Sequence, residues 1–172
     1  YERATRFTLG PTGSLGEASV GEASVQEEPI GMNFPILTLI TFIPLLGAIL
    51  LMFIPKENEK AIRWTSVVVS LIPLALSIIL WAGYNPKVAG GMAWEELYEW
   101  IPAIGVRYHM GVDGISIPMV FLTALLTPLS LIYSFIIKDR VKEYFIFFLM
   151  LEVGMMGVFV ALDFFLFYVF WE

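Results

Sequence analysis

The feature that most limits the fold of this chain is a series of long apolar runs. Residues 34–54, 64–85 and 115–137 contain no charged side chain, and residues 144–162 contain one. An α-helix needs about 20 mostly apolar residues to cross the hydrocarbon core of a bilayer. Each run is long enough for this, so the sequence predicts an all-α membrane protein with four complete transmembrane helices.

A fifth apolar run follows Asp163 and continues to the last residue of the sequence. It reads FFLFYVFWE over residues 164–172, which is about half of a membrane span. We therefore predict the first half of a fifth transmembrane helix, and we interpret the chain as a fragment of a longer protein.

The composition excludes several classes of function. Hydrophobic residues make up 58% of the 172 residues and charged residues only 15%, whereas soluble proteins average about 25% charged residues. Because there is no cysteine, the chain offers no thiolate ligand for a metal or an iron–sulfur cluster. It also has no glycine-rich phosphate loop and no basic patch for nucleic acid. We expect no cofactor, metal or redox centre in this chain. We expect the lipid bilayer to surround it.

The N-terminal residues 1–31 differ from the rest of the chain. They include the tandem repeat GEASVGEASV and few bulky side chains. Such a segment cannot bury enough apolar surface to offset its ordering entropy, so we predict a disordered tail. Met32 stands directly before the first apolar run, which suggests that the natural protein begins there; the alternative is a docking tail. Residues 32–172 form the predicted transmembrane part.

Four prolines lie inside the predicted spans: Pro44, Pro73, Pro118 and Pro128. In water, a proline inside a helical pattern argues against the helix. In a membrane bundle, neighbouring helices can satisfy the freed backbone groups, so we predict spanning helices that kink at these positions.

The loops between the spans differ in positive charge, which predicts the orientation of the chain. Short loops rich in Lys and Arg stay on the cytoplasmic side of a membrane. The second loop, residues 83–114, has only Lys87 and Arg107. We therefore place the first and third loops in the cytoplasm, and the second loop, the turn at Asp163 and the N-terminus outside. The positive residues of the two cytoplasmic loops are Lys56, Lys60, Arg63, Lys138, Arg140 and Lys142.

The second loop contains two patterns that predict local structure. WEELYEWI, residues 94–101, places Trp94, Tyr98 and Ile101 at helical spacing, and its Trp and Tyr suit the membrane interface, which predicts a short interfacial helix. VRYHMGV, residues 106–112, alternates apolar and polar side chains as a short strand does. We interpret His109, the single histidine, as a surface residue and not as a metal ligand. Asp113 is predicted to cap the third helix.

Two glutamates stand inside the apolar runs. A charge at the centre of a bilayer costs about 2.5 to 3.5 kcal/mol on insertion scales and usually belongs to an ion or proton path. Measured along their helices from Asp163, Glu152 and Glu172 lie at depths of about 16 and 14 Å. We predict that both take part in proton translocation, with Glu172 the stronger candidate. For Glu152, a neutral glutamic acid that stabilises helix contacts is an equal alternative.

Small residues on the fourth run predict close contact with another helix. Gly157 and Ala161 fit the small-xxx-small pattern of membrane helix pairs, and Gly154 extends it. This is a packing signal and carries no chemistry.

Three segments resemble a known family. KEYFIFFLMLEVGMMGVFVALDFFLFYVFWE, residues 142–172, is similar to the antiporter-like membrane subunits of respiratory complex I, and most of all to the M (chain 4) type of NADH-quinone oxidoreductase. YHMGVDGISIPMVFLTALLTPL, residues 108–129, resembles the entry to the third helix of these subunits. MNFPILTLITFIPLLGAILL, residues 32–51, is similar to the start of the M type.

The resemblance implies a function and a role for Glu172. Members of this family translocate protons across the membrane, coupled to electron transfer from NADH to quinone. By resemblance, Glu172 is the functional glutamate of the fifth helix, which in the family pairs with a lysine on a broken seventh helix and sets the proton occupancy of a half-channel. NADH, flavin, iron–sulfur clusters and quinone are implied in other subunits. Partners of the L and N types are implied, in the bacterial cell (inner) membrane.

Two other interpretations stay open at this point. The chain could belong to a multisubunit cation/proton antiporter, which has no electron donor. It could also be a truncated and inactive membrane fragment that serves only as a packing scaffold.

Overall fold

The computed structural model describes residues 35–84 and 92–172. In chain order its elements are α1 (Ile36–Phe53), α2 (Glu59–Gly83), β1 (Ala93–Ile101), a 3-10 turn (Pro102–Ile104), β2 (Val106–Val112), α3 (Ser116–Tyr133), a second 3-10 turn (Ser134–Ile136), α4 (Val141–Val160) and α5 (Phe164–Trp171). The predicted disordered tail and Lys87 lie outside the described residues.

Within the described residues, four helices are long and apolar enough to cross a membrane, and they coincide with the four complete spans that the sequence predicts. They are α1, α2, α3 with the 3-10 turn that follows it, and α4. The chain is therefore a multi-pass membrane protein. A helix also begins where the fifth span was predicted, and its first turn is capped by Asp163, whose side chain accepts hydrogen bonds from Phe165 N and Leu166 N.

Two helix starts lie earlier than predicted because charged residues fit a first helical turn. α2 begins at Glu59, where Asn58 caps it by accepting a hydrogen bond from Ala61 N at 3.3 Å. α4 begins at Val141 and has Glu143 in its first turn. An acidic side chain interacts favourably with the positive end of the helix dipole. Apolar periodicity alone misses such turns because they lie outside the hydrocarbon region.

The helices pack around one core. α1 packs against α4 and α2, α2 also packs against α3, α3 against α4, and α5 against α4. The hairpin of β1 and β2 contacts α1, α4 and α5, and we call this the hairpin end of the bundle. The opposite end, formed by the loops at residues 54–58 and 137–140, is called the basic end.

Buried apolar side chains form two clusters along the bundle. The hairpin-end cluster includes Ile36, Leu37, Ile40, Leu80, Met110, Val112, Ile117, Val120, Ala124, Met156, Val160 and Leu166. The basic-end cluster consists of Ala48, Leu51, Ile62, Val67, Leu131, Val141, Phe145 and Leu149. A level between the two clusters therefore crosses all four long helices near their middles.

The second loop is a β-hairpin, so the predicted helix at residues 94–101 is wrong and the fold is not purely α-helical. β1 pairs with β2 in antiparallel fashion, with Tyr98 opposite Tyr108 and Glu99 opposite Arg107. The predicted strand at 106–112 is confirmed. The aromatic residues of β1 also suit a strand, and cross-strand pairing decides between the two local preferences. Gly105 makes the turn possible because it adopts φ 70°, a conformation in which a Cβ would be strained.

Candidate functional site

Glu152 lies on the face of α4 that is buried in the bundle. Its side chain is 0% exposed, and buried Leu149 and Met156 stand one helical turn away on either side. Neither carboxyl oxygen has a hydrogen-bond partner within the described residues. A buried carboxyl normally finds partners, so this side chain stands out from the other buried polar groups.

Buried hydroxyl side chains of the three facing helices lie within about one helical turn of Glu152 along the bundle. Thr41 of α1, Ser70 of α2 and Thr127 of α3 are buried. On each helix the residue stands between members of the hairpin-end cluster and members of the basic-end cluster. We call Thr41, Ser70, Thr127 and Glu152 the polar layer. It separates the two apolar clusters.

Most hydroxyl hydrogens of the polar layer are already engaged. Ser70 Oγ donates to the carbonyl of Val67 at 2.9 Å, and Thr127 Oγ1 donates to the carbonyl of Thr123 at 2.9 Å. Thr41 Oγ1, in contrast, has no partner in the part of the chain that is described. Ser70 and Thr127 can therefore only accept a further hydrogen bond, whereas Thr41 can donate or accept one.

Buried prolines add backbone acceptors at the same level. Pro44, Pro73 and Pro128 lie in α1, α2 and α3, one to three residues from the hydroxyl of the same helix. Each proline lacks an N–H, so the carbonyl four residues earlier loses its helical donor. The polar layer is therefore rich in hydrogen-bond acceptors.

Glu172 lies on the other flank of α4. It is exposed and lines an open groove of about 680 Å³ between α4 and α5, beside Leu151, Gly154 and Phe170. Glu152 does not line this groove. Counted from Val160 and Phe164, the two ends of the turn, each glutamate is about 12 Å along its helix. By this count the two glutamates stand at similar heights along their helices, and they lie on different flanks of α4.

The close contact of α4 and α5 rests on Gly157. A Cβ at this position would overlap the ring of Phe170, and a Cβ at Gly154 would lie 3.1 Å from the Phe170 carbonyl oxygen. The predicted small-residue contact is therefore present, with the Phe170 ring filling the space above Gly157. This contact fixes the position of α5, and therefore of Glu172, relative to α4.

Comparison with known proteins was made by sequence and by structure. No family model matches the chain. Subunit M of the NADH-quinone oxidoreductase of Rhodobacter capsulatus is 40% identical over 141 residues, which cover 80% of this chain and 27% of that protein. NAD(P)H-quinone oxidoreductase chain 4 of Prochlorococcus marinus strain NATL1A is 32% identical over 147 residues, which cover 84% of this chain and 27% of the relative.

The chain is similar over about four fifths of its length to subunit M (chain 4) proteins of quinone oxidoreductases. A further chain 4 protein, from Trichodesmium erythraeum, is 38% identical over 141 residues. Among solved structures, a chain of the membrane-bound sulfane sulfur reductase, an archaeal respiratory membrane complex, matches with a TM-score of 0.63 and 25% identity. That match covers 81% of this chain and 21% of the other. The chain spans about a quarter of the length of its curated relatives.

A second buried glutamate was missed by the sequence reasoning. Glu96 of β1 is only 4% exposed and accepts hydrogen bonds from the first turn of α1. Leu37 N donates to Glu96 Oε1 at 2.8 Å, and Thr38 N donates to Glu96 Oε2 at 3.2 Å. The Thr38 hydroxyl also donates to Glu96 Oε2. Glu96 therefore caps a helix that lies 58 residues earlier in the chain.

Tyr108 extends this contact. Because the Thr38 hydroxyl donates to Glu96, the Tyr108 hydroxyl donates to Thr38 Oγ1, at 2.7 Å. Burial raises the pKa of Tyr108, the bond to Thr38 lowers it, and the Glu96 charge raises it again, with a net upward shift. Tyr108 thus stays protonated as a donor. We call Glu96, Thr38 and Tyr108 the hairpin clamp.

A bulge in β1 places Glu96 in the clamp. The register shifts between Ala93 and Glu96, and Trp94 has a φ of 56°. A bulge inserts one extra residue and redirects the next side chains. No signal in the local sequence marks this bulge, so only the fold reveals the role of Glu96.

His109, predicted as a surface residue, has a carboxylate partner that the sequence reasoning did not foresee. Its Nε2 atom pairs with Glu95 Oε1, and both side chains are partly exposed. The backbone carbonyl of His109 accepts a hydrogen bond from Leu162 N at 2.9 Å, which ties β2 to the end of α4. Among residues 35–84 and 92–172, no three His, Cys, Asp or Glu side chains form a metal site.

Two aspartates begin helices, Asp113 as the sequence predicts and Asp163 at the predicted turn. Asp113 Oδ1 accepts from Ser116 N at 2.7 Å and from Ile115 N at 3.0 Å, and these bonds lower its pKa. Partial burial raises the pKa of Asp163, but hydrogen bonds from the backbone N–H groups of Leu166, Arg107 and Phe165 outweigh it and the net shift is downward. Both carboxylates are therefore stabilised in their charged form.

Two basic residues cap helices at the basic end. Arg63 of α2 donates to the carbonyls of Phe135 at 2.8 Å and Ile137 at 2.9 Å, just after α3. Lys142 of α4 donates to the carbonyls of Met52 and Ile54 at the end of α1, both at 2.8 Å. Positive charge at the C-terminal end of a helix is favourable. These residues therefore stabilise the ends of α3 and α1, in addition to indicating the orientation of the chain.

Proposed function

We propose that this chain is part of a proton-translocating membrane subunit of an NADH-quinone oxidoreductase. The similarity to subunit M and chain 4 proteins supports this function, and so does the multi-pass helical core. The observation that carries the proposal is a pair of intramembrane glutamates on successive helices: Glu152, buried without a hydrogen-bond partner among the described residues, and Glu172 at the end of α5. Intramembrane carboxyls in such positions usually serve proton or ion paths.

Redox chemistry belongs to other subunits in this proposal. The chain has no cysteine for an iron–sulfur cluster. NADH, flavin, iron–sulfur clusters and quinone are assigned to the partner subunits, which include antiporter-like subunits of the L and N types. In this proposal the chain contributes as a translocase subunit and takes no part in electron transfer.

Glu172 is the main proton-carrying residue of the proposal. It lines the open groove between α4 and α5, where another helix of the full-length protein or a partner can reach it. A cation brought close to a carboxylate stabilises the charged form of both groups. By family resemblance that cation is a lysine, and movement of one partner would change the proton occupancy of the other. Glu152 is the weaker candidate for the same path.

The proposed setting is the bacterial inner membrane, with the basic end in the cytoplasm and the N-terminus outside. Six Lys and Arg residues lie in the loops of the basic end or in the first turns of the helices that follow them, and positive loops remain cytoplasmic. Because the chain has no cysteine, single cysteines can report the topology. Lys60→Cys at the basic end should react only with a reagent on the cytoplasmic side, and Glu99→Cys on β1 only with one outside. Labelling of both from one side would contradict this orientation.

The test of the function is Glu172→Gln in the full-length subunit assembled with its partners. Glutamine keeps size and hydrogen bonding but cannot ionise, so proton uptake into vesicles should fall to near background and NADH oxidation coupled to quinone should slow. Electron transfer from NADH to an artificial acceptor should persist. Glu143→Gln, an exposed glutamate in the first turn of α4, is the matched control and should pump normally. Pumping by Glu172→Gln at the control rate would overturn the proposal.

A further inference from the structure

We propose that the polar layer is a hydrated proton site in its own right, separate from Glu172 and held by α1, α2, α3 and α4. In this site Glu152 carries a proton and is linked through water to Thr41, with Ser70 and Thr127 as acceptors. The inference deepens the role given to Glu152 above, and it rests on the proposed function only for the destination of the proton. The existence of the site can be tested without any pumping.

Two buried side chains lack partners in the same part of the bundle. Glu152 and Thr41 are both 0% exposed, and neither the two carboxyl oxygens nor Thr41 Oγ1 has a hydrogen-bond partner within the described ranges. They belong to different helices, α4 and α1, which pack directly against each other. Buried polar groups without protein partners are the places where internal water is found, because such a water makes about three hydrogen bonds.

Contacts between the helices fix the relative levels of these residues. A Cβ on Gly47 of α1 would touch Val69 of α2 and lie 3.3 Å from Leu149 of α4, so these three residues are level. Counting along each helix toward the hairpin end, Ser70 is about 1.5 Å, Glu152 about 4.5 Å and Thr41 about 9 Å above that level.

The level of Thr127 follows from an aromatic contact between α2 and α3. The rings of Trp81 and Phe121 are 5.2 Å apart, which aligns these two helices. Trp81 is 12 residues, or about 18 Å, above Val69 along α2, and Phe121 shares the level of Trp81. Thr127 is six residues, or about 9 Å, from Phe121 toward the basic end, which puts it about 9 Å above the level of Val69. Ser70, Thr41 and Thr127 therefore all lie within about one helical turn of Glu152.

The chemistry of the layer favours a protonated carboxyl over a bare carboxylate. Ser70 and Thr127 have already donated their hydrogens to carbonyls of their own helices. The carbonyls four residues before Pro44, Pro73 and Pro128 also lack a helical donor. A carboxylate needs donors, and only Thr41 can supply one. A carboxylic acid and a water molecule both donate, so they match the acceptors that line the layer.

The layer is distinct from the groove that holds Glu172. Glu152 does not line that groove, and the two glutamates lie on different flanks of α4. The bundle thus contains one carboxyl that faces outward to a cation from elsewhere and one that is enclosed by its own helices. A proton on Glu152 exchanges only through water held between the helices.

Infrared spectroscopy of membranes that contain the assembled complex tests the site. The measured signal is the C=O stretching band of a protonated carboxyl at neutral pH, isolated by subtracting the Glu152→Gln spectrum from the wild-type spectrum. The same subtraction is made with Thr41→Val, which removes the hydroxyl at nearly constant volume. Thr123→Val is the matched control, since it makes the same change on α3 outside the polar layer.

The proposal expects a protonated-carboxyl band that is present in wild type, shifts on transfer to D2O within minutes, and is absent in Glu152→Gln. Thr41→Val should move the band, and Thr123→Val should leave it in place. If Glu152→Gln does not assemble, the site is tested by whether the protonated-carboxyl band shifts between wild type and Thr41→Val. Absence of the band, a band that does not exchange with D2O over hours, or a band that disappears on addition of Na⁺ would overturn the proposal.

The outcome is independent of the Glu172 test. Normal pumping by Glu172→Gln would remove the proposed function and leave the infrared band of Glu152 unaffected. Loss of pumping in Glu172→Gln together with an absent Glu152 band would support the function and remove the hydrated site.

Discussion

The charged side chains at the two ends of the bundle differ from the one in its middle in their hydrogen-bond partners. At the hairpin end, buried Glu96 accepts hydrogen bonds from the first turn of α1, and at the basic end Arg63 and Lys142 donate to carbonyls where α3 and α1 end. In the middle, Glu152 is at least as buried but has no such partner among the described residues.

The comparison shows that burial alone does not separate a structural carboxyl from a functional one. Glu96 is placed at the N-terminal end of a helix, where backbone N–H groups and the helix dipole favour a negative charge. Glu152 is placed where its neighbours mostly accept hydrogen bonds. The hydrogen-bond partners of a buried carboxyl therefore indicate which role it has.

The largest loss of stability is expected from Glu96→Ala. It leaves the N–H groups of Leu37 and Thr38 without their acceptor and should lower the free energy of unfolding by about 3 kcal/mol. Chemical unfolding of the detergent-solubilised protein measures this. The control is Glu99→Ala on the exposed side of the same strand, which should cost less than about 0.5 kcal/mol. Equal losses would mean that the clamp does not stabilise α1.

At the basic end, Arg63→Met should lower the free energy of unfolding by about 2 kcal/mol, because two carbonyls after α3 lose a charged donor. Arg63→Lys keeps the charge but not the forked geometry, so it should recover only part of the loss. The same unfolding titration gives both values. Full recovery with lysine would show that charge alone matters at this end.

Tyr108→Phe should have a smaller effect, about 1 kcal/mol, since it removes one hydroxyl that donates to Thr38 and leaves Glu96 in place. The matched change in the middle of the bundle is Thr41→Val, which removes a hydroxyl without a partner in the described structure and should not lower stability. The contrast between ends and middle would be wrong if Thr41→Val were the more damaging of the two.

The smallest effect concerns the pH dependence of Asp163. Its pKa is lower in the folded protein than in the unfolded chain, so it contributes stability above its ordinary pKa, and this contribution is lost as the pH falls through the lowered value. Asp163→Asn keeps the cap for α5 but removes the charge. Its stability should therefore fall less between neutral and acidic pH, by a few tenths of a kcal/mol at this exposed site. An identical acid response in the two proteins would contradict this role.

Sequence reasoning succeeded where the signal is local. The four long apolar helices follow from long runs with at most one charge, β2 from its alternation, and the Asp113 cap from its place before α3.

The missed features depend on contacts between residues that are far apart in the chain. β1 becomes a strand because it pairs with β2, and Glu96 caps α1 across 59 residues. The face of α4 that carries Glu152 is also a property of the packed bundle, because only the neighbours of α4 decide which of its sides is enclosed.

The most direct test of the contrast between the two buried glutamates is the stability of Glu152→Met. Methionine fills a similar volume without a polar group, so removal of a carboxyl that has no protein partner should leave the free energy of unfolding unchanged or raise it. The measurement is chemical unfolding of the detergent-solubilised protein beside wild type and Glu96→Ala. A loss as large as that of Glu96→Ala would contradict the account, because it would mean that Glu152 stabilises the bundle as a structural residue.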